Sequence, residues 1–444
     1  MGGCQERVTY EQAVEKLFSL QRFGVKLGLE KIVTLLERLG NPHEQFVSCH
    51  IAGTNGKGTA AAVCNAVIAA HEVPCGLFTS PHLISLRERV RIGHKAIPGQ
   101  FIADWVGEHF PFILRHRVTF FEAVTAMAFD CFCRSKVAAA VVEVGLGGRY
   151  DATNVINPAV TAITSIGMDH AKYLGASLKA IAAEKAGIAK PGVPLICAER
   201  NRKALPAIEN TCRETGSPLI LLEQAVGISR LRRSPQEIVF DYSGRSFELK
   251  EAEVALYGAH QARNAAVGLL CAEKILEKLG IPAVNEKASA ALASVRMPGR
   301  FQRHKISESV ELILDVAHNP PAARALADVY KKIYGKQRRA VVVAGLGSFK
   351  RGADFLHPLL SVADEFFLPR VDFGRADTGT SQLEPERLGG YLRSHGARAT
   401  AVRSVAEALD LAIDLAGKRG SPVLVTGSFY LVGDVMRQLG LAVK

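Results

Sequence analysis

Short, continuously apolar runs alternate with helical stretches along this chain, and that alternation limits its fold more than any other feature. In the first half the runs are Phe46–Ala52, Cys75–Thr79, Ala138–Val144 and Ala159–Ile166. They do not alternate apolar with polar, so each reads as a strand buried on both faces, and helices between such strands give a parallel sheet covered on both sides. From Leu219 to Leu256 the texture changes: Ile238–Tyr242 and Arg245–Leu249 flank Ser243-Gly244 and read as a hairpin. A helix is expected over His260–Leu279. Met297-Pro298-Gly299-Arg300 then breaks the pattern as a candidate linker. A second α/β series follows, with strands at Leu312–Val316, Ala340–Ala344, Glu365–Leu368 and Pro422–Thr426. With 444 residues the chain is too long for one ordinary core. The expected organisation is 1–296, with an N-terminal helical segment and a small β-hairpin region near 219–256, and 297–444.

Between the first strand and an Ala-rich helical run, Ala60–Ala70, lies Gly53-Thr54-Asn55-Gly56-Lys57-Gly58-Thr59. A glycine loop between strand and helix suits phosphate. Small residues let backbone N–H groups close on the oxygens, and the helix N-terminus adds the positive end of its dipole. Lys57 supplies a point charge and Thr59 a hydroxyl for Mg²⁺. The spacing departs from the standard phosphate-loop pattern: two residues, not four, precede Gly56-Lys57, and Gly58 separates Lys57 from Thr59. A glycine-rich turn carrying a surface lysine is the plainer alternative.

Composition narrows the function classes. Hydrophobic residues at 48% and charged residues at 22% are globular values. No apolar run approaches the ~18 residues of a membrane span, and Met1–Arg7 lacks a signal-peptide core. The nine cysteines are scattered without a CxxC pair, which argues against disulfides or zinc and for a reducing cytoplasm. The balance of 55 basic to 43 acidic residues, +12, favours anionic partners. The basic residues are dispersed apart from Arg230–Arg233 and Lys336–Arg339, with no aromatic interleaving of the single-strand-binding kind.

In parallel α/β sheets ligands bind at the carboxyl ends of the strands. Ser80, Glu143 and Asp169-His170 stand at such ends. Taken singly, Ser80 before Pro81 could be turn chemistry, Glu143 a surface charge and His170 a helix cap; together, at equivalent ends of one sheet, they suggest a Mg²⁺ and phosphate site. Gly145-Leu146-Gly147-Gly148-Arg149-Tyr150 lacks the third glycine of a dinucleotide fingerprint, so no nicotinamide site is expected.

Gly53–Thr59, Thr79–Leu83, Glu143–Asn154, Ile166–His170, Ala183–Ile188, Leu256–Ala265, Met297–Arg300, Asp315–Pro320 and Thr426–Tyr430 together resemble the folylpolyglutamate synthase/dihydrofolate synthase branch of the Mur ligases. The likeness spans nearly the whole chain. It implies a P-loop-containing, parallel-sheet ATPase-like domain followed by a smaller Rossmann-like α/β domain. It also implies the reaction: ATP phosphorylates a carboxylate, and the amine of L-glutamate attacks the acyl phosphate. Such chemistry needs charge neutralisation and positioning more than a protein nucleophile.

Carried over residue by residue, the resemblance gives Gly53, Thr54, Asn55, Gly56, Lys57, Gly58 and Thr59 to the nucleotide phosphates, with Asn264 and Arg300. Thr59, Ser80, Glu143 and His170 would ligate Mg²⁺, two ions in all, with Lys185 carbamylated beside them and room for a monovalent cation such as K⁺. Lys57, Lys185, Asp315 and His318 would be catalytic, Asp315 also contacting ribose. Ser80, Pro81, His82, Phe121, Glu122, Asp151 and Thr153 would face the acceptor. The plainer alternatives are a helix-face pair for Glu184/Lys185, a linker charge for Arg300, a strand-end turn for Asp315 and His318, and loop or helix-start residues for Phe121, Glu122 and Asp151. Thr59 stands where many members have Ser, which keeps the hydroxyl; Val316 and Phe429 replace smaller or aliphatic residues.

The implied protein is a cytoplasmic, monomeric ATP- and Mg²⁺-dependent ligase adding L-glutamate to dihydropteroate, to a reduced folate, or to both, without nucleic-acid or membrane partners. Within the class the alternatives are a polyglutamate-extending enzyme that does not accept dihydropteroate and a Mur ligase of cell-wall precursors. From another class, a nucleic-acid-binding P-loop ATPase would show salt-steep polynucleotide affinity and no glutamate dependence.

Overall fold

The computed structural model describes residues 8–24, 28–233, 237–347, 352–373 and 381–441, with the side chains of residues 171, 172 and 233 excepted. The Met1–Arg7 stretch lies outside the described residues. Eight strands, β1 (Val47–Ala52), β2 (Cys75–Phe78), β3 (Val90–Ile92), β4 (Lys95–Ala96), β5 (Ala139–Glu143), β6 (Val160–Ile163), β7 (Leu195–Cys197) and β8 (Leu219–Leu221), form one sheet in the order β4-β3-β2-β5-β1-β6-β7-β8. From β2 to β8 in that order all pairs are parallel, and β3 and β4 add an antiparallel edge.

The continuous apolar runs have the expected cause. Along β5, Ala139 and Val141 enter one core while Ala140 and Val142 enter another. The first core is completed by helices Lys57–Ala70 and His260–Leu279. The second is completed by the N-terminal helices Tyr10–Ser19 and Glu30–Arg38 with Gly99–Arg115 and Phe120–Arg134. A strand between two cores has no polar face to show, which is why its sequence does not alternate.

Strands β9 (Gly227–Arg233), β10 (Ile238–Ser243) and β11 (Glu248–Val254) make a small antiparallel sheet. Its hairpin turns where expected, but the second strand starts three residues later than Arg245, because Gly244 N–H donates to Phe247 O and closes the turn first. The last sheet takes β12 (Gln302–Lys305), β13 (Glu311–Asp315), β14 (Ala340–Ala344), β15 (Ala363–Pro369), β16 (Arg398–Val402) and β17 (Val423–Thr426) in the order β12-β13-β17-β14-β15-β16. Only β12 is antiparallel. Here too neighbours divide between two cores, Val342 in one and Val341 with Val343 in the other.

Register places the carboxyl ends. Ile51 lies opposite Glu143 and Ala52 opposite Ile163, so the loop that leaves β1 emerges between Glu143 and Thr164. In the last sheet Asp315 and Ala344 both lie opposite Thr426. Among the described residues no helix is long and apolar enough to cross a membrane.

Helix Lys57–Ala70 carries the loop, and it lies against helix His260–Leu279 at very short range. A Cβ on Gly268 would stand 2.6 Å from Ala60 O and 2.7 Å from Val63 Cβ. Overpacking of this kind costs about 1–3 kcal/mol. Gly268→Val is therefore expected to lower the free energy of unfolding by that amount, read from the denaturant midpoint at constant slope; an unchanged midpoint would refute the close crossing.

Candidate active site

The loop is shaped by two backbone angles that L side chains rarely adopt. Gly53 has φ +147° and Gly56 φ +93°. A Cβ on Gly53 would fall 2.0 Å from Thr164 Oγ1, and one on Gly56 2.3 Å from Asn264 Oδ1. The left-handed Gly56 starts the helix at Lys57, three residues before the Ala-rich run that announces it. The end of β6 pins the loop: Thr54 N–H donates to Ser165 O (2.6 Å), and Asn55 O accepts from Thr164 Oγ1 (2.7 Å) and Ser165 Oγ (3.0 Å). Lys57 Nζ donates to Gly53 O (3.1 Å) and stands 3.8 Å from Glu143 Oε1.

Glu143 is 4% exposed. Its other oxygen accepts from Ser80 N–H (3.2 Å), at the cis Ser80-Pro81 bond. Burial pushes the carboxyl up from its ordinary range, and Lys57 chiefly opposes that. Lys185, in the last turn of helix Leu178–Ala186, is also buried. Burial, and next the charge of Lys57, push its amine down to about 7. Asp169 and His170 follow β6; His170 N–H donates to Asp169 Oδ1 (2.8 Å).

The second sheet supplies the facing wall. His318 donates Nδ1–H to Val316 O (2.9 Å), since a carbonyl only accepts, and its Nε2 lies 3.4 Å from Asp169 Oδ2. Arg300 stands over the Phe429 ring at 5.8 Å. Lys57, Ser80, Pro81, Phe121, Glu122, Glu143, Asp151, His170, Lys185, Arg300 and His318 all line one cleft with the loop residues 53–58.

Five expected site residues stand off the cleft wall: Thr59, His82, Thr153, Asn264 and Asp315. Thr59 is buried in the first turn of its helix. Asn264 donates to Gln261 Oε1 (3.0 Å) beneath Gly56. His82 Nδ1 accepts from the buried Arg89 Nε (2.8 Å). Asp315 spends its oxygens on Phe301 N–H (2.9 Å) and Ala317 N–H (2.8 Å), holding the segments that carry Arg300 and His318; burial pushes its carboxyl up. Asp151 reaches the cleft, yet it accepts from Leu146 N–H (2.8 Å), Thr153 N–H (3.0 Å) and the Thr153 hydroxyl, with burial again raising its carboxyl. Glu122 lines the cleft too, but one oxygen accepts from both Thr119 N–H and Oγ1–H at 2.7 Å, a capping box that starts helix Phe120–Arg134.

Sequence reasoning gave no site role to Gln21, Tyr173, Phe373, Phe429 or Tyr430, and it named Asp169 only as a strand-end neighbour of His170; all six line the cleft. Asp169 carried a signal, its position beside His170 at a strand end. Phe373 carried none.

Comparison with known proteins gives matches along most of the chain. The Mur ligase middle domain matches residues 51–272, and the Mur ligase glutamate ligase domain matches residues 299–429. The chain is 31% identical to the dihydrofolate synthase/folylpolyglutamate synthase of Bacillus subtilis, over 97% of this chain and 99% of that one. It is 31% identical to the folylpolyglutamate synthase of Lacticaseibacillus casei with the same coverage. Among solved structures, Mycobacterium tuberculosis folylpolyglutamate synthase complexed with ADP superposes with TM-score 0.87 at 28% identity, covering 97% and 99% of the two chains. E. coli FolC in complex with DHPP and ADP gives 0.83 at 30% identity, covering 97% and 98%.

Glu122 Oε2 caps its helix, and that contribution to stability is testable by itself. Glu122→Ala removes the side-chain acceptor for Thr119 and is expected to cost about 1 kcal/mol of stability, while Glu122→Gln retains a carbonyl acceptor and most of it. Equal thermal midpoints for the wild type and Glu122→Ala would overturn the assignment.

Proposed function

The chain belongs to the folylpolyglutamate synthase/dihydrofolate synthase family of Mur ligases, and from that premise we propose that it adds L-glutamate to both dihydropteroate and reduced folates. It is an ATP-dependent ligase. The observation that carries the fuller reading is one cleft that joins Lys57 and Glu143 of the first sheet to Arg300 and His318 of the second. We assign the substrate's carboxylate to the space between them and the two sheets to two domains, 1–296 and 297–444.

In this reading the loop amides and Lys57 hold the β- and γ-phosphates, and Arg300 takes charge that develops on the transferred group. The acceptor's carboxylate oxygen attacks the γ-phosphorus and ADP leaves. The amine of L-glutamate then adds to the acyl phosphate carbon, loses a proton, and phosphate departs as the amide forms. His318, with Asp169 beside its Nε2, is placed to orient the reacting groups. Walls contributed by both sheets exclude water, which would otherwise hydrolyse the acyl phosphate.

Among the described residues no three acidic, histidine or cysteine side chains gather closely enough to hold a metal alone. The donors still suit Mg²⁺, which takes one or two carboxylates and fills its shell with phosphate oxygens and water. Glu143 is a hard, desolvated carboxylate within reach of the loop lysine. Ser80, Thr59 and His170 would complete its surroundings directly or through water. Mg²⁺ bound there would neutralise phosphate charge. Lys185 fits carbamylation, because its amine is held near neutrality at neutral pH and a neutral amine adds CO₂.

Three outcomes test the proposal. Phosphate release from ATP and Mg²⁺ is expected to require glutamate together with either dihydropteroate or a reduced folate. Release with neither acceptor would sink it, and release with the folate alone would leave only chain extension. Lys57→Ala should lower turnover by about 10³-fold or more with an unchanged circular dichroism spectrum; full activity would remove the loop from the reaction.

For Lys185 the sign is fixed by the lowered value of about 7. Above it the amine is neutral and takes up CO₂; below it the ammonium cannot. Intact mass under bicarbonate should show one added carboxyl group about one pH unit above that value and none about one unit below. No adduct at either pH would refute the carbamate.

A further inference from the structure

Asn55 of the phosphate loop and Asn319 at the start of helix Pro320–Tyr334 face each other across the cleft and exchange two hydrogen bonds. Asn55 Nδ2 donates to Asn319 Oδ1 (3.1 Å), and Asn319 Nδ2 donates to Asn55 Oδ1 (3.0 Å). Asn319 is 1% exposed. An amide offers two donor hydrogens and two acceptor lone pairs, and Asn319 engages all four. Its second hydrogen goes to Asp169 Oδ2 (3.1 Å), and its second lone pair accepts from Ala322 N–H (3.1 Å). Turning the amide over would set oxygen against the Asp169 carboxylate and NH₂ against the Ala322 N–H, so its orientation is fixed.

Asn55 is fixed from the other side. Thr164 and Ser165 hold its carbonyl. The chain of contacts therefore runs without a gap from β6, through the Asn55 backbone and side chain, to Asn319, to Asp169 and to His318 Nε2, 3.4 Å beyond. The segments stay close nearby as well, since a Cβ on Gly167 would stand 3.3 Å from Pro321 Cγ.

We propose that Asn55 and Asn319 are a positioning pair, a latch that ties the phosphate loop to the His318–Asp169 wall, so that a filled loop holds the second sheet in its reacting position. The proposal rests on the reading that the loop holds nucleotide phosphates. Asn55 turns its amide to Asn319, which makes it a positioning residue. The burial of Asn319 strengthens the pair: two neutral amides bonded to each other lose both bonds at once if the sheets part.

The test uses the full chain with Asn55→Ala, Asn319→Ser and the double variant. The serine hydroxyl keeps the cap of helix Pro320–Tyr334, so loss of folding is not built into the design. In each single variant kcat is expected to fall about tenfold or more while the ADP dissociation constant stays within about twofold, and the double variant should be no worse than about threefold below the weaker single. Wild-type kcat in Asn55→Ala, a loss of ADP affinity that accounts for the whole defect, or additive losses in the double variant would each overturn it.

A second readout does not depend on turnover. ADP should slow tryptic cleavage at Arg296, which precedes the 297–300 junction, in the wild type and not in Asn55→Ala; equal protection in both would overturn the latch. A wild type that protects this way but releases no glutamate-dependent phosphate would sink the function and leave the latch standing.

Discussion

One buried carboxylate and two lysines share a cleft, and their charges cannot all be satisfied together. Glu143 lies 3.8 Å from Lys57. The positive charge of Lys57 bears also on Lys185. Lys185 is left desolvated beside a like charge and gives up its proton near neutrality. The chemistry assigned to each lysine follows from this division: one is a fixed cation for phosphate, the other a nucleophilic amine open to CO₂.

The fold was legible where burial leaves a mark on sequence. Strands between two cores cannot alternate, and β1, β2, β5, β6, β14 and β17 were all read from that. Helix His260–Leu279 was read end to end. The strands that escaped were short or at edges. Strands β3, β4 and β7 have two or three residues, and β16 at the sheet's rim shows most of its side chains to solvent. An edge strand is held by backbone pairing on one side, and backbone bonds have no sequence signature.

The site was legible as a set of strand ends and less so residue by residue. The carboxylates at 122, 151 and 315 all accept from backbone N–H groups, those at 122 and 151 within their own turns. The cap at Glu122 was open to reading: Thr119-Phe120-Phe121-Glu122 before an apolar helix is the spacing of a capping box. The bonding of Asp315 was not, because its partners at 301 and 317 meet only when β13 and the linker fold together. Motif resemblance finds such residues because they shape the site, and it does not distinguish shaping from touching a ligand.

Helices Lys57–Ala70, Pro320–Tyr334 and Phe429–Gln438 all begin beside the cleft, so their positive ends add to the basic side chains there. Asn319 and Ser428 cap the second and third with their own side chains. The first has no side-chain cap, because Gly56 stands at that position. Its leading N–H groups are thus the ones left to an incoming anion, and Lys57 Nζ waits on Gly53 O, a neutral acceptor within the same loop. A phosphate oxygen is a stronger partner than a carbonyl. Binding therefore replaces a weak internal bond with a charged one while opening no salt bridge of full strength, since the Glu143 contact at 3.8 Å lies beyond hydrogen-bond distance. The loop is organised for phosphate without being satisfied by its own side chains.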